Sequence, residues 1–600
     1  MWFSPLLTQP VHLHSSRQAG RCRLTPEQCA FKSRRWLNWY EADYAYALPT
    51  IYFLLLVIIV FTLLRFSADL TPKNLSSRPW WRRCVSAARF VSYKSWRICR
   101  WNSPSLGTLI IASGGLIFFA ALTLGPKPYY WPTDARYGNS PPLATRSGWI
   151  ALGCLPFVLV LGAKANLVSA LIGTPPEKLN VWHNYLSWAM FTLALVHTFP
   201  FIVYHGSRGD TVNEFHKNGV WLTGIIALVA QAWLTVMSIS WIRNRWYEIF
   251  KASHYFFAIV FMVFLFLHCD FRLTSWDYII AAVVLYSASL LFAMAKTFFK
   301  HGLSQTARLY AEPSGSLRIT IQTKFNWGPG QHVYLRFLTC GIHALTSHPF
   351  TVSSLPNPKV TSQGGELVFL VQPRKGITQR LVKKAQQQPD VGVRVLLEGP
   401  YGGLPPRWYQ GFDRTLLFAG GAGCCFTLPL IQDWLRGYDV STTRELHVFI
   451  STKDSDMRLP YMQELQQIAA RHCQVGFAHI PGLFISFFES QASGIARQVS
   501  PISQRSTDYA EDKPLFPARQ DVSAVFALIN TSFTKHRPDC GAIVRDFSLR
   551  EPHGSVGIAV CGPSGMVQDV ASAAAEQQLS ILRGQSSATE VWLHKEVFSC

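Results

Sequence analysis

The sequence predicts a membrane-embedded α-helical bundle of about seven spans, followed by two soluble domains, a small β-barrel and an α/β domain. Three observations carry that prediction. Apolar runs of membrane length all lie before Phe299, and none follows it. The chain is 49% hydrophobic and 15% charged, with a mean hydropathy of +0.14, whereas soluble chains carry about 25% charge. Beyond Lys300 the pattern turns to short alternating strands broken by Gly and Pro, and then to strand–turn–helix units. Disorder, collagen-like repeats and a disulfide scaffold are excluded, since 13 cysteines in 600 residues are sparse.

A bilayer core needs about 20 apolar helical residues. The candidate spans are 48–66, 106–125, 148–171, 181–205, 218–242, 247–268 and 276–298. The formal net charge of +22 would suggest a nucleic-acid partner in a soluble chain, but that reading leaves the spans unused. Much of the excess lies beside the spans. Arg65, Lys73, Arg78, Arg82, Arg83, Arg89, Lys94, Arg97 and Arg100 crowd one stretch, which the positive-inside rule makes cytoplasmic. The N-terminus then lies outside, and an odd span count puts the C-terminal half in the cytosol. Arg243-Asn244-Arg245 falls inside, and the Pro/Tyr/Gly-rich loop 126–147 falls outside. The first 45 or so residues lack the apolar region of a signal peptide; either the first span is a signal anchor or the N-terminus is incomplete. Cys22 and Cys29 lie in the oxidising compartment on this topology, where pairing and free thiols are both open.

The fourth and sixth spans carry the chemistry. His183 and His197 lie 14 positions apart in one, and His254 and His268 lie 14 apart in the other. Fourteen residues are nearly four turns, so each pair shares a helix face, about 21 Å apart along the axis. Alternate spans run parallel, which puts His183 level with His254 near the cytosolic side and His197 level with His268 near the outside. Two facing imidazoles at each level describe two bis-histidine haem sites stacked across the bilayer. Ionisable side chains inside spans are expensive and functional by default. His205 and His216 flank an outer loop and could touch a metal substrate, although a solvated loop histidine is the simpler reading.

In the soluble half, the barrel reads to about residue 405. It contains Gly328-Pro329-Gly330-Gln331-His332, then His348-Pro349-Phe350-Thr351-Val352-Ser353-Ser354, then Lys375-Gly376-Ile377-Thr378, then Glu398-Gly399-Pro400-Tyr401-Gly402. Residues 349–353 can supply a backbone and hydroxyl platform for a flavin ring, with Gly376 and Thr378 at its phosphates; singly, each is an ordinary turn. From Arg414 the α/β pattern begins. The strand Thr415–Ala419 leads through Gly420-Gly421-Ala422-Gly423 into an apolar helix, and glycines there let a dinucleotide pyrophosphate approach the helix N-terminus. A second such unit, Val556–Ala573, holds Cys561-Gly562-Pro563-Ser564-Gly565-Met566. Both strand ends open on one crevice. Residues 487–522, rich in Ser, Gln, Arg and Pro, read as an excursion or disordered loop.

Together these pieces resemble the fungal ferric reductase transmembrane proteins of the ferric reductase and NADPH oxidase superfamily, over nearly the whole chain. Cys22-Arg23-Leu24-Thr25-Pro26-Glu27-Gln28-Cys29 and the segment from Trp39 to Pro49 are similar to the family's N-terminal region. The resemblance implies an extracytoplasmic segment 1–46, a haem-bearing membrane domain 47–299, a ferredoxin-reductase-like FAD barrel 300–408, and a NADPH-binding α/β domain 409–600 with an insertion near 487–522. His183, His197, His254 and His268 take the haem-ligand positions of two b-type haems. His348, Pro349, Phe350 and Thr351 take flavin positions, beside which Ser354, Gly376 and Thr378 stand as candidates. Gly420, Gly421, Gly423, Cys561, Gly562 and Pro563 take NADPH positions. Three departures stand out: Asn184 where an Arg is frequent, Cys424-Cys425 after the glycine turn where Ile is usual, and Cys600 in place of a terminal aromatic.

The implied activity is a plasma-membrane ferric-chelate reductase. Electrons would pass from cytosolic NADPH through FAD and the haems to external Fe(III) in a chelate or siderophore, or to Cu(II), with a separate iron permease taking up the product. Thr452, Lys453 and Arg458 could meet a 2′-phosphate. No protein general acid is expected at the outer face. An NADPH oxidase delivering the electron to oxygen is the nearest alternative; a transporter or receptor that only senses nucleotide is a distant one.

Overall fold

The computed structural model describes residues 42–597 apart from 71–77, 100, 131–139, 218, 271–272, 314, 340–345, 357–364, 375, 406, 439–442, 453–457, 474–479, 481, 490–529, 535 and 552–553, together with residues 25, 26 and 29. In chain order the principal helices of the first half are α1 (Leu48–Leu70), α2 (Pro79–Tyr93), α3 (Leu106–Leu124), α4 (Pro142–Gly162), α5 (Pro176–Arg208), α6 (Thr211–Lys217), α7 (Gly219–Val236), α8 (Tyr247–Cys269) and α9 (Ser275–His301). The chain divides into two compact units, residues 1–71 with 110–296 and residues 72–109 with 297–600. Among the described residues seven helices are long and apolar enough to cross a membrane: α1, α3, α4, α5, α7, α8 and α9. This is a multi-pass membrane protein.

In the first unit α4 is the hub. Of its apolar window 78% is buried, against 6–22% in the other six spans. Ile150, Cys154 and Leu155 of α4 pack with Leu186, Met190 and Leu193 of α5 and with Ala227 and Ala230 of α7. The outer helices expose apolar faces, such as Leu55, Leu56, Ile59 and Leu63 on α1, which suits hydrocarbon rather than water. The span limits differ from the sequence reading where polar side chains claim the backbone. The third run stops at Gly162, because Asn166 caps a separate short helix, Leu167–Ile172, by accepting from the Ser169 amide at 2.6 Å. The fifth stops at Val236, and Arg243–Arg245 is the last turn of another short helix rather than an open loop. The fourth continues to Arg208, where Gly209 closes it at φ +69°. Cys29 is disulfide-bonded, whereas Cys22 lies outside the described residues.

The second unit holds two six-stranded sheets, a two-stranded ribbon that pairs Arg97–Ile98 with Trp101–Asn102, and one unexpected guest. Strands β1 (Gln305–Ala311), β2 (Leu317–Thr323), β3 (Gln331–Phe337), β4 (His348–Thr351), β5 (Gly365–Val371) and β6 (Val391–Gly402) form an antiparallel sheet in the order β4-β3-β6-β1-β2-β5. The sheet curls until its ends approach, the Ser353 amide just past β4 donating to the Val368 carbonyl of β5 at 2.8 Å. Inward-facing Leu309, Ile319, Val333, Leu335, Phe369 and Val395 fill it. Helix α10 (Ile377–Gln387) follows β5.

The second sheet is wholly parallel. Its strands β7 (Arg414–Gly420), β8 (Glu445–Thr452), β9 (Leu483–Glu489), β10 (Asn530–Thr534), β11 (Ser555–Gly562) and β12 (Glu590–Val597) lie in the order β10-β9-β8-β7-β11-β12. Strands buried on both faces explain the unbroken apolar runs, for every residue of β7 is buried. Helices α11 (Cys424–Arg436), α12 (Arg458–Cys473), α13 (Cys540–Leu549) and α14 (Ser564–Arg583) complete the domain. Residues 487–489, read from the sequence as the start of a loop excursion, are instead the end of β9, paired with β8 and β10; the excursion's remainder to residue 522 lies outside the described residues.

The guest is α2. Residues 72–109, counted with the spans in the sequence, cluster with the second unit. Arg89 pairs with Glu590 at 2.6 Å, the Leu593 amide donates to the Tyr93 hydroxyl at 3.1 Å, and the Ser95 hydroxyl donates to Gln568 at 2.8 Å. Arg97 donates to the Gly565 carbonyl and to Asp569, each at 3.0 Å. Part of the basic stretch is thus a docking element for the α/β domain.

Candidate functional site

The four intramembrane histidines meet in two pairs. The imidazole centroids of His183 and His254 are 6.3 Å apart, and those of His197 and His268 are 5.9 Å apart. Two imidazoles sharing one metal through ring nitrogens at roughly 2.0–2.1 Å have centroids about 6.3 Å apart, so both pairs fit one bis-histidine iron each.

What aims the rings is a repeated device that sequence reading missed. The Nδ1 atoms of His183, His197 and His268 lie 2.8, 2.7 and 2.8 Å from the carbonyls of Val158, Ala144 and Val220. Each carbonyl sits four residues before a glycine on the neighbouring helix: Gly162, Gly148 and Gly224. A Cβ on those glycines would come within 3.2, 2.6 and 2.6 Å of the same imidazole. A helical carbonyl already accepts one bond from four residues on; a glycine there leaves room for a ring to reach its second lone pair. The bond favours the proton on Nδ1, which makes Nε2 the nitrogen that could hold a metal.

His254 breaks the pattern: its Nδ1 is buried without a hydrogen-bond partner. Helices α7 and α8 run antiparallel, as the Trp233–Phe257 contact at 4.8 Å also shows. Counting 14 residues from Val220 and Gly224 gives Leu234 and Ser238 at the level of His254. Ser238, not glycine, stands there, and its own hydroxyl donates to the Leu234 carbonyl at 2.6 Å. Near the other pair, Arg146 of α4 is 1% exposed, donates from Nε to the Thr123 carbonyl at 2.6 Å, and has a buried Nη2 without a hydrogen-bond partner. Such a guanidinium fits an anionic group in that interior.

On the barrel, His348–Thr351 is edge strand β4. Phe350 packs inward against Phe337 and Phe369 at 6.1 Å, while Pro349 is exposed and His348 Nε2 lies 2.9 Å from the Thr346 hydroxyl. The platform reading therefore rests on Pro349, Thr351 and the backbone, with Phe350 as core. The Ser354 hydroxyl is occupied in joining β4 to β5, accepting from the Val368 amide and donating to the Glu366 carbonyl. Its neighbour Ser353 is buried with an Oγ that has no hydrogen-bond partner, a hydroxyl suited to a flavin heteroatom. Gly376 adopts φ +90° at the start of α10, whose N-terminus has no side-chain cap, and Thr378 returns its hydroxyl to the Arg374 carbonyl at 2.9 Å. An uncapped helix N-terminus fits a phosphate.

The two glycine turns of the parallel sheet meet at its switch point, between β7 and β11. A Cβ at Gly420 would lie 2.5 Å from Pro563 Cδ, and one at Gly562 would lie 3.0 Å from the Gly420 amide nitrogen. Gly421, at φ +58°, has nothing within 4 Å of its Cβ direction, and α11 and α14 both begin without side-chain caps. Gly423 and Cys561 are buried beneath. Open space over two free helix N-termini at a switch point is where such sheets take dinucleotides. The Cys424 thiol lies 4.0 Å from that of Cys425, and this contact together with burial pushes its pKa up. Of the 2′-phosphate candidates, Thr452 ends β8 and Arg458 opens α12; Lys453 lies outside the described residues, as does Cys600.

Comparison with known proteins fits this layout. Residues 147–265 match the ferric reductase like transmembrane component, 303–404 an FAD-binding domain, and 412–575 the ferric reductase NAD binding domain. A probable cell surface ferric reductase, kap2, of Aspergillus oryzae is 33% identical over 373 residues, covering 59% of this chain and 49% of that protein. Ferric/cupric reductase transmembrane component 7 of Saccharomyces cerevisiae is 28% identical over 367 residues, covering 59% and 57%. The chain thus matches about half the length of these curated relatives. The three matched segments thus follow one another along the chain, the first within the spans and the other two beyond them, and the chain is similar to fungal ferric reductases.

Proposed function

We propose that the protein is a transmembrane, NADPH-dependent ferric reductase of the plasma membrane, delivering electrons from the cytosol to Fe(III) chelates or Cu(II) outside and so supporting iron uptake through a separate permease. The observation that carries this reading is the pair of stacked histidine couples, at 6.3 and 5.9 Å, in spans that otherwise tolerate no ionisable group without a task. FAD, when bound, would supply the conversion of a hydride into single electrons, and two b-type haems would supply their passage across the bilayer.

The chain's own residues do the holding. His183 with His254, and His197 with His268, would hold the two haem irons, and Arg146 would offer a charge partner for a carboxylate beside the second pair. Thr351, Ser353 and the α10 N-terminus at Gly376 orient the flavin. Gly420, Gly421 and Gly562 let the nucleotide backbone approach α11 and α14. The docking of α2 on α14 supports one compartment for the basic segment 78–97 and the nucleotide domain, and the positive-inside rule makes that compartment the cytosol.

The test is a reduced-minus-oxidised spectrum of membranes carrying the wild type and His254→Ala, with NADPH as reductant. A b-type signal that NADPH reduces, that ferric chelate reoxidises without oxygen, and that the variant partly loses is expected. Reoxidation by oxygen alone would move the protein to the oxidases. Absence of haem in folded protein supplied with haem would overturn the assignment of all four histidines.

A further inference from the structure

Eight residues beyond His197, α5 ends in a cluster that the electron path does not use. We propose that His205, Asp210 and Glu214 form the docking site for the substrate metal ion, taken as a Cu(II) or Fe(III) ion held by one imidazole and two carboxylates; this rests on the reductase reading above.

His205 is not the solvated loop histidine that the sequence suggests. It is 2% exposed, walled by Tyr204 and by Trp221 at 5.2 Å, and its Nδ1 lies 2.8 Å from Asp210 Oδ1. Glu214, one turn into α6, completes a set whose donor atoms all lie within 4.8 Å of one another. His216, the other loop histidine, is exposed on α6. Asp210 directly precedes α6, and its carboxylate turns to His205 and, at 3.3 Å, to Arg208. A buried nitrogen with two carboxylate oxygens is a borderline donor set that suits Cu(II), and its oxygens suit Fe(III). Arg208 offsets part of the negative charge, which weakens the hold on a cation. Weak binding is what a substrate needs and a resident cofactor does not.

Position supports the assignment. His205 stands about 12 Å along the helix from His197. Phe201 fills the interval, with centroids 5.3 Å from His197 and 6.5 Å from His205. One electron arriving from the His197 side converts Cu(II) to Cu(I), or Fe(III) to Fe(II), with no bond to break in the protein. Cu(I) prefers softer ligands than carboxylate and leaves.

The experiment titrates Cu(II) into the purified, haem-loaded full chain and follows the EPR spectrum, with NADPH-driven haem reduction measured in the same samples. The expected result is one Cu(II) with nitrogen hyperfine structure, and a tenfold or greater loss of affinity in Glu214→Gln and in Asp210→Asn, matched by a similar rise in KM for Cu(II). Arg208→Ala should tighten Cu(II) binding. Glu214 is half-buried, so its variant keeps the test valid if the Asp210 variant fails to fold. A wild type that binds no Cu(II) here, or variants with unchanged affinity, would overturn the site. Failure of NADPH to reduce haem in a wild type that still binds Cu(II) would instead sink the relay.

Discussion

Gly148 lies so close to His197 that a Cβ there would sit 2.6 Å from the imidazole Nδ1. The glycine is needed for its missing side chain rather than for backbone freedom. Gly148→Ala or Gly224→Ala should displace the ring from its carbonyl and lower haem affinity about 10–100-fold, the usual cost of losing such a support. The pyridine haemochrome would report close to half the wild-type haem per chain. Gly206→Ala, with nothing within 4 Å of its Cβ direction, is the control.

Ser238 predicts an asymmetry between the two proposed haem sites. Three of the four histidines have Nδ1 held by a carbonyl, and His254 does not. A hydrogen bond at that nitrogen makes imidazole a stronger donor and favours the ferric state. Ser238→Gly should release the Leu234 carbonyl to His254 and move one haem midpoint to lower potential while the other stays. A redox titration that superimposes on the wild type would refute this.

The α2 dock should be measurable in stability. Tyr93→Phe leaves the buried Leu593 amide without its acceptor and should cost about 1–3 kcal/mol. Glu590→Gln touches a pair whose side chains are 22% and 42% exposed, and should cost less than about 1 kcal/mol. Thermal melts of the full chain, read on the α/β domain, would rank the two.

A pH dependence is expected from His447, packed between Phe484 at 4.5 Å and Phe547 at 4.4 Å. Burial lowers its pKa, and Glu445 at 3.0 Å opposes the shift without cancelling it. The unfolded chain therefore binds this proton first as pH falls. The stability it confers is present above about pH 6.5, the ordinary histidine value, and is lost as pH drops toward the folded pKa. His447→Phe should flatten the acid limb of the melting-temperature profile; an unchanged limb would rule the residue out.

Much of this architecture was legible in the sequence because its signals are periodic. The 14-residue histidine spacing, the apolar runs and the glycine turns each follow from one repeat, and the structure brings His183 to His254, His197 to His268 and Gly420 to Pro563. What escaped depends on pairs distant in sequence. Gly162, Gly148 and Gly224 look like ordinary small residues in spans until a neighbouring ring is placed on them. Ser353 and Ser354 cannot be told apart until β5 takes one hydroxyl and leaves the other. The burial of Arg146 and the seat of α2 likewise have no local signature.

That seat has a consequence for how the chain is made. Arg89 donates to the Val591 carbonyl, 502 positions later, so during synthesis α2 must wait for β12 before it finds its partner. Until then α2 remains an unattached basic amphipathic segment beside the membrane. A stop codon anywhere before residue 590 would leave it that way permanently. Quality control that recognises unsheltered helices would thus read the completion of β12 from the state of α2.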